Sequence, residues 1–92
     1  MIREDIGVAI RAKHVIQFRY KDELRTVEPH TLGVRKGELE LCAWQTSGTK
    51  PGFRDFRVGK VSGLLVTDRS FAGPRPGYNR NDSTMDQIIY RL

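Results

Sequence analysis

The chain has 92 residues, enough for one domain and too few for two. With 38% hydrophobic and 29% charged residues it suits a soluble globular unit and argues against wholesale disorder. The formal charge of +5 favours polyanionic partners, such as nucleic acid, a nucleotide or an acidic protein surface, over cationic ones.

The N-terminus, Met1-Ile2-Arg3-Glu4-Asp5, carries acids where a secretion signal needs bases before an apolar run. No stretch approaches the roughly 20 apolar residues of a membrane span. A cytoplasmic location is therefore expected, with no membrane partner. Ile2, Ile6 and Ile10 recur every four residues, so 2–13 is expected to form a short amphipathic helix, with Gly7 as its weak point.

From Val15 the period changes to two. Ile16, Phe18 and Tyr20 share one strand face, and Gln17 and Arg19 the other. Lys21-Asp22-Glu23 is a polar turn. Leu24 to Val34 reads as a second strand, and Pro29, which has no ladder donor, makes it an edge or bends it. Arg35-Lys36-Gly37 is a second tight turn, in which Gly supplies positive φ. A third strand follows to Trp44, with Leu39, Leu41 and Ala43 alternating against Glu38, Glu40 and Cys42.

Residues 47–52 form a flexible loop. Phe53 to Val58 is a fourth strand, and Lys60 to Thr67 a fifth, apolar on both faces and so expected to be covered on both. Five short strands with tight turns suggest a small, highly bent antiparallel sheet or partial barrel over about 15–68. Residues 71–82 lack periodicity and read as a wrapping loop. Ser83-x-x-Asp86 has the form of a capping box, and Met85, Ile88, Ile89 and Leu92 share a helical face, so a closing helix is expected over 83–91.

No pattern of catalytic chemistry is present: no nucleophile elbow, phosphate-binding loop, paired metal-ligand spacing or paired carboxylates. A binding module rather than an enzyme is expected, with no cofactor and no metal. Cys42 is the only cysteine, so no internal disulfide can form, and it reads as a small residue filling the wall. In Phe53-Arg54-Asp55-Phe56-Arg57 each strand face mixes charge with aromatic bulk. Two readings stand: Asp55 locks an arginine structurally, or one arginine offers its planar fork to a phosphate or carboxylate. They are compatible.

Tyr20, then Arg25-Thr26-Val27-Glu28-Pro29-His30-x-Leu32, then Gly37 and a strand ending Cys42-Ala43-Trp44, then Phe53-Arg54-Asp55-Phe56-x-Val58-x-Lys60-Val61 together resemble the WYL domain family. The match runs from about Ile16 to Phe71. It is closest to the branch with a Pro-His pair and an Arg-Asp-Phe strand, which is similar to bacterial phage-defence regulators. The resemblance implies an Sm-like, SH3-type five-stranded barrel with a ligand-sensing role in transcriptional regulation, recognising a nucleotide or single-stranded nucleic acid. Carried over by position, the ligand-binding residues would be Tyr20, Arg25, His30, Arg54 and Arg57. Arg25 and Arg54 would clamp the anion, and His30 and Tyr20 would orient it. The chain departs from the family in two places: Glu38-Leu39-Glu40-Leu41 replaces the Trp-Tyr-Leu signature, and Lys60 stands where an arginine is usual. The alternative is a structural barrel that self-associates or docks a protein partner without a small ligand.

Overall fold

The computed structural model describes residues 1–92. It opens with helix α1 (Ile2–Ala12), whose Ile6, Ala9 and Ile10 are fully buried. Lys13 ends the helix in the left-handed region, where its N–H reaches the Ile10 carbonyl. Six strands follow: β1 (His14–Tyr20), β2 (Glu23–Arg35), β3 (Glu38–Gln45), β4 (Gly52–Arg57), β5 (Ser62–Ser70) and β6 (Gln87–Arg91). A single 3₁₀ turn, Val58–Lys60, links β4 to β5.

Every pairing is antiparallel. The strands run β4-β3-β2-β1-β5, and β6 adds to β2. Both hairpin turns use two successive residues at positive φ: Lys21 and Asp22 (51° and 60°), then Lys36 and Gly37 (51° and 77°). That handedness matches the right-handed twist of the flanking strands.

β2 organises the sheet. Its first half, Glu23–Val27, pairs with β1, and its second half, Thr31–Val34, pairs with β6, while β3 pairs with Val27–Arg35. The β2–β3 register slips between Pro29 and Thr31. Proline cannot donate to the ladder, so the bulge falls where the sequence already lacks a hydrogen bond. The slip reorients His30 relative to the alternation of the strand.

The inner face of the bent sheet packs against α1. Ile16 and Phe18 come from β1, Val27 and Leu32 from β2, Leu41 and Ala43 from β3, and Phe56 from β4. Phe18, Tyr20 and Phe56 meet edge to face, with centroids 5.0 to 6.4 Å apart. Such contacts add about 0.5–1.5 kcal/mol each beyond the area they bury. The outer face of β2, β3 and β4 is crossed by residues 71–86, which contain no helix or strand.

Three expectations need correction. The closing helix over 83–91 is instead a strand, because the second half of β2 offers an edge that Gln87–Arg91 can complete. Its polar residues tie a turn: Asp82 accepts from the Thr84 N–H, and Asp86 accepts from the Lys36 N–H. The five-stranded barrel is a six-stranded sheet that does not close, since β4 and β5 each keep one unpaired edge. The fifth strand is not covered on both faces; it lies at the sheet's end, and Leu65 is 56% exposed.

Candidate functional site

Tyr20 ends β1 on the inner face and is nearly buried. Its hydroxyl accepts the backbone N–H of Arg57 at 3.2 Å, which fixes the end of β4. Arg25 lies beside it, 5.7 Å from the Tyr20 ring centroid and 5.9 Å from that of Phe56. Its Nη1 donates to Gln45 Oε1 (3.1 Å), and its Nη2 donates to the Tyr20 carbonyl (3.3 Å). Both acceptors are neutral. The nearest carboxylate, Glu23, is 3.9 Å away and mostly in water, whereas the Arg25 side chain is only 14% exposed. Arg25 Nε is buried with no acceptor at all. A mostly desolvated guanidinium without a buried counter-charge leaves this end of the sheet positive.

Arg57 follows on the opposite face of β4. Its guanidinium stands 3.4 Å from Glu38, and both side chains are more than half exposed, so the pairing is weak. Arg57 also rims an open cleft of about 490 Å³. Ile2, Leu39 and Val58 form its apolar floor, Arg57 and Lys60 its basic rim, and Glu38 its one acid. Gly59, between the two cations, faces open space.

Arg54 sits apart from that cleft. Its guanidinium donates to the carbonyls of Phe53 (2.9 Å) and Lys50 (2.6 Å), so it staples the 46–52 loop to β4. Asp55 orients neither Arg54 nor Arg57. Its nearest cation is Arg35, 3.9 Å away, which also reaches Glu40 (3.0 Å) and Asp82 (3.9 Å). Burial raises the Glu40 carboxyl above its ordinary range in spite of Arg35.

His30 is fully buried on the outer side, beneath residues 71–78. Nδ1 donates to the Glu28 carbonyl (2.8 Å), and Nε2 accepts the Arg75 N–H (3.1 Å). Phe53, Phe71 and Tyr78 surround the ring. Burial is the main cause that lowers its pKa below the ordinary value, and the Arg75 charge adds to it. Arg75 completes the cover: it makes two hydrogen bonds to buried Glu28 (2.8 and 2.9 Å) and stacks 5.1 Å from the Trp44 ring. Trp44 is thus held between the strap and Phe53 rather than free to stack on a ligand.

The structure therefore gathers Tyr20, Arg25 and the backbone of Arg57 at one end of the sheet, and separates His30 and Arg54 from them. Gln45 joins the first group through Arg25, and Lys60 shares the cleft with Arg57; neither stood among the candidate site residues. The signal for Lys60 was its place three residues after Arg57, which a 3₁₀ turn brings to the same side. No cluster of three or more His, Cys, Asp or Glu is arranged to hold a metal ion. No helix is long and apolar enough to cross a membrane.

The family model of the WYL domain matches residues 2–66. Among solved structures the chain is similar to proteasome accessory factor B/C (PafBC) of Arthrobacter aurescens, with 29% identity and a TM-score of 0.74. The match covers 85% of this chain but only 13% of PafBC, so the chain spans a small part of that relative's length. No curated protein matches it.

Proposed function

The chain belongs to the WYL domain family, and from that premise we propose that it is a ligand-sensing regulatory module for a nucleotide or single-stranded nucleic acid. The observation that carries this reading is the cleft with an apolar floor and the Arg57–Lys60 rim. An apolar floor suits a base or sugar face, and the two cations suit a phosphate. Arg25 and Tyr20 act from behind. Tyr20 holds the Arg57 backbone, and the unneutralised Arg25 charge raises the local potential. In this assignment Arg54 shapes the neighbouring loop, and His30 belongs to the outer-face cover. The module binds rather than catalyses. It works in the cytoplasm as part of transcriptional regulation or phage defence, through the proteins to which it is joined or bound.

A thermal-shift panel of nucleotides and short oligonucleotides tests the reading. A ligand that binds only the folded state raises the melting point, by an amount that grows with its concentration above Kd. Stabilisation by phosphate-bearing ligands, abolished in Arg57→Ala/Lys60→Ala, is expected. Absence of any stabilisation at low salt contradicts it.

A second reading has its own observation. β4 and β5 each leave an edge unpaired, and an open edge can pair with another strand. A module that self-associates through these edges would be an oligomer in solution, with a mass insensitive to Arg57 and Lys60.

A further inference from the structure

The outer face carries a second device, independent of the cleft. We propose that His30 and Arg75 form an acid-releasable latch that holds residues 71–86 over the outer face of β2–β4. Three observations converge on it. First, His30 is fully buried, yet both of its ring nitrogens are used. Nδ1 carries its proton to the Glu28 carbonyl, so Nε2 must present its lone pair to the Arg75 N–H. A proton on Nε2 would set one N–H against another and place a charge among Phe53, Phe71 and Tyr78. Second, the contacts of the strap converge on this point. Arg75 pairs with Glu28, Tyr78 meets Thr31 Oγ1 at 2.7 Å, and Phe71 stacks on the imidazole. Third, residues 71–86 have no helical or strand hydrogen bonding of their own and lie beyond the residues that match the family model. Their hold on the sheet is therefore side-chain and single-bond contact, which can open locally while the sheet stays folded.

The charged and titratable groups facing His30 are Glu28 from its own strand and Arg75 and Tyr78 from the strap; β4 contributes only Phe53. Glu28 favours the imidazolium and Arg75 opposes it, so burial sets the direction. In the closed state the imidazole therefore holds its proton less well than the ordinary value near 6.5. Releasing the strap exposes the ring and restores that value. Between the two values the open state binds more protons, so acid favours opening. The latch is intact above about pH 6.5 and is lost as the pH falls through that window. Opening bares Trp44 and Phe53.

The test is amide hydrogen exchange of the whole chain from pH 7.5 to 5.0, above the range in which carboxylates ordinarily titrate. Protection of the amides of residues 71–86, corrected for the intrinsic exchange rate, is expected to fall by up to tenfold per pH unit below about 6.5. The inner amides of β1–β3 should hold. His30→Gln keeps an acceptor for the Arg75 N–H but cannot titrate, so its strap protection should be flat across the range. Should that variant fail to fold, the wild-type imidazole resonances decide. His30 must titrate with the same midpoint as the strap. The same acid response in His30→Gln, or a strap that ignores pH or opens with a midpoint other than that of His30, overturns the proposal.

Discussion

Replacing Gly33 by Ala tests the sheet where it differs most from expectation. A Cβ at Gly33 would lie 2.4 Å from the Gln87 carbonyl oxygen and 2.5 Å from Met85 Sδ. The thioether can swing away; the carbonyl belongs to the β6 backbone and cannot. About 0.6 Å must open before the contact reaches the 3.0 Å below which real Cβ atoms are essentially never found. The hydrogen bonds flanking this point, Asp86 N–H to Val34 O (2.8 Å) and Leu92 N–H to His30 O (3.0 Å), would stretch to the limit of useful length. Overpacking costs about 1–3 kcal/mol, and weakening two bonds adds up to about 0.5–1.5 kcal/mol each. Relief of the glycine's backbone entropy returns about 0.5–1 kcal/mol. The net is a loss of about 1–5 kcal/mol, and each kcal/mol lowers Tm by about 4–8 °C for a domain of this size. Thermal denaturation followed by circular dichroism measures it, and hydrogen exchange of 87–91 locates it. An unchanged or raised Tm would mean that β6 does not pack against β2 as described.

Gly7→Ala should also destabilise, because its Cβ would meet the Tyr90 ring at 2.5 Å; the helix-propensity gain of about 1 kcal/mol reappears as net stabilisation only when Tyr90 is also cut to Ala, which a double-mutant cycle by urea denaturation reads. Phe56→Ala removes the centre of the aromatic triad and should cost about 3–5 kcal/mol, a large share of the stability of a domain this size, seen as loss of a cooperative melt near room temperature. The Cys42 thiol is pushed up to about 12 by burial and by Asp55 beside it; at pH 8 it should react with iodoacetamide at least about 10³-fold more slowly in the folded protein than in urea, and equal rates would contradict its placement.

Much of the sheet was legible because its signals are local. The period-two runs of β1 and β3, the polar turns at Lys21–Asp22 and Lys36–Gly37, and the bend at Pro29 each depend on residues within a few positions of one another. β6 was not legible. Met85, Ile88, Ile89 and Leu92 fit a helix spacing as well as they fit a short strand, and the partner that decides is β2, more than 50 residues earlier. β5 misled for a related reason: its apolar content implied two covers, but the sheet ends there. Among the candidate site residues, Tyr20 and Arg25 share a strand parity that the β1–β2 hairpin turns into contact. His30 was singled out, but its burial under the strap was not legible, because its partners, Phe71, Arg75 and Tyr78, lie 41 to 48 positions downstream, in a segment without periodicity. The sequence favoured Arg54 over Arg57 as the anion contact; instead Arg54 is taken up by loop carbonyls and Arg57 lies at an open cleft, because the loop that supplies those carbonyls cannot be read from strand alternation.

The central claim is that the Arg57–Lys60 rim receives an anion. Titrating a fluorescent short single-stranded oligonucleotide by anisotropy, over a series of salt concentrations, tests it most directly. Binding at low salt is expected to weaken with a log–log slope of about −1.4, at about −0.7 for each of two phosphate contacts. Arg57→Ala/Lys60→Ala should lose it by tenfold or more at an unchanged Tm. Binding that survives in that variant and disappears in Arg54→Ala, or no binding of any anion at low salt, would contradict the account.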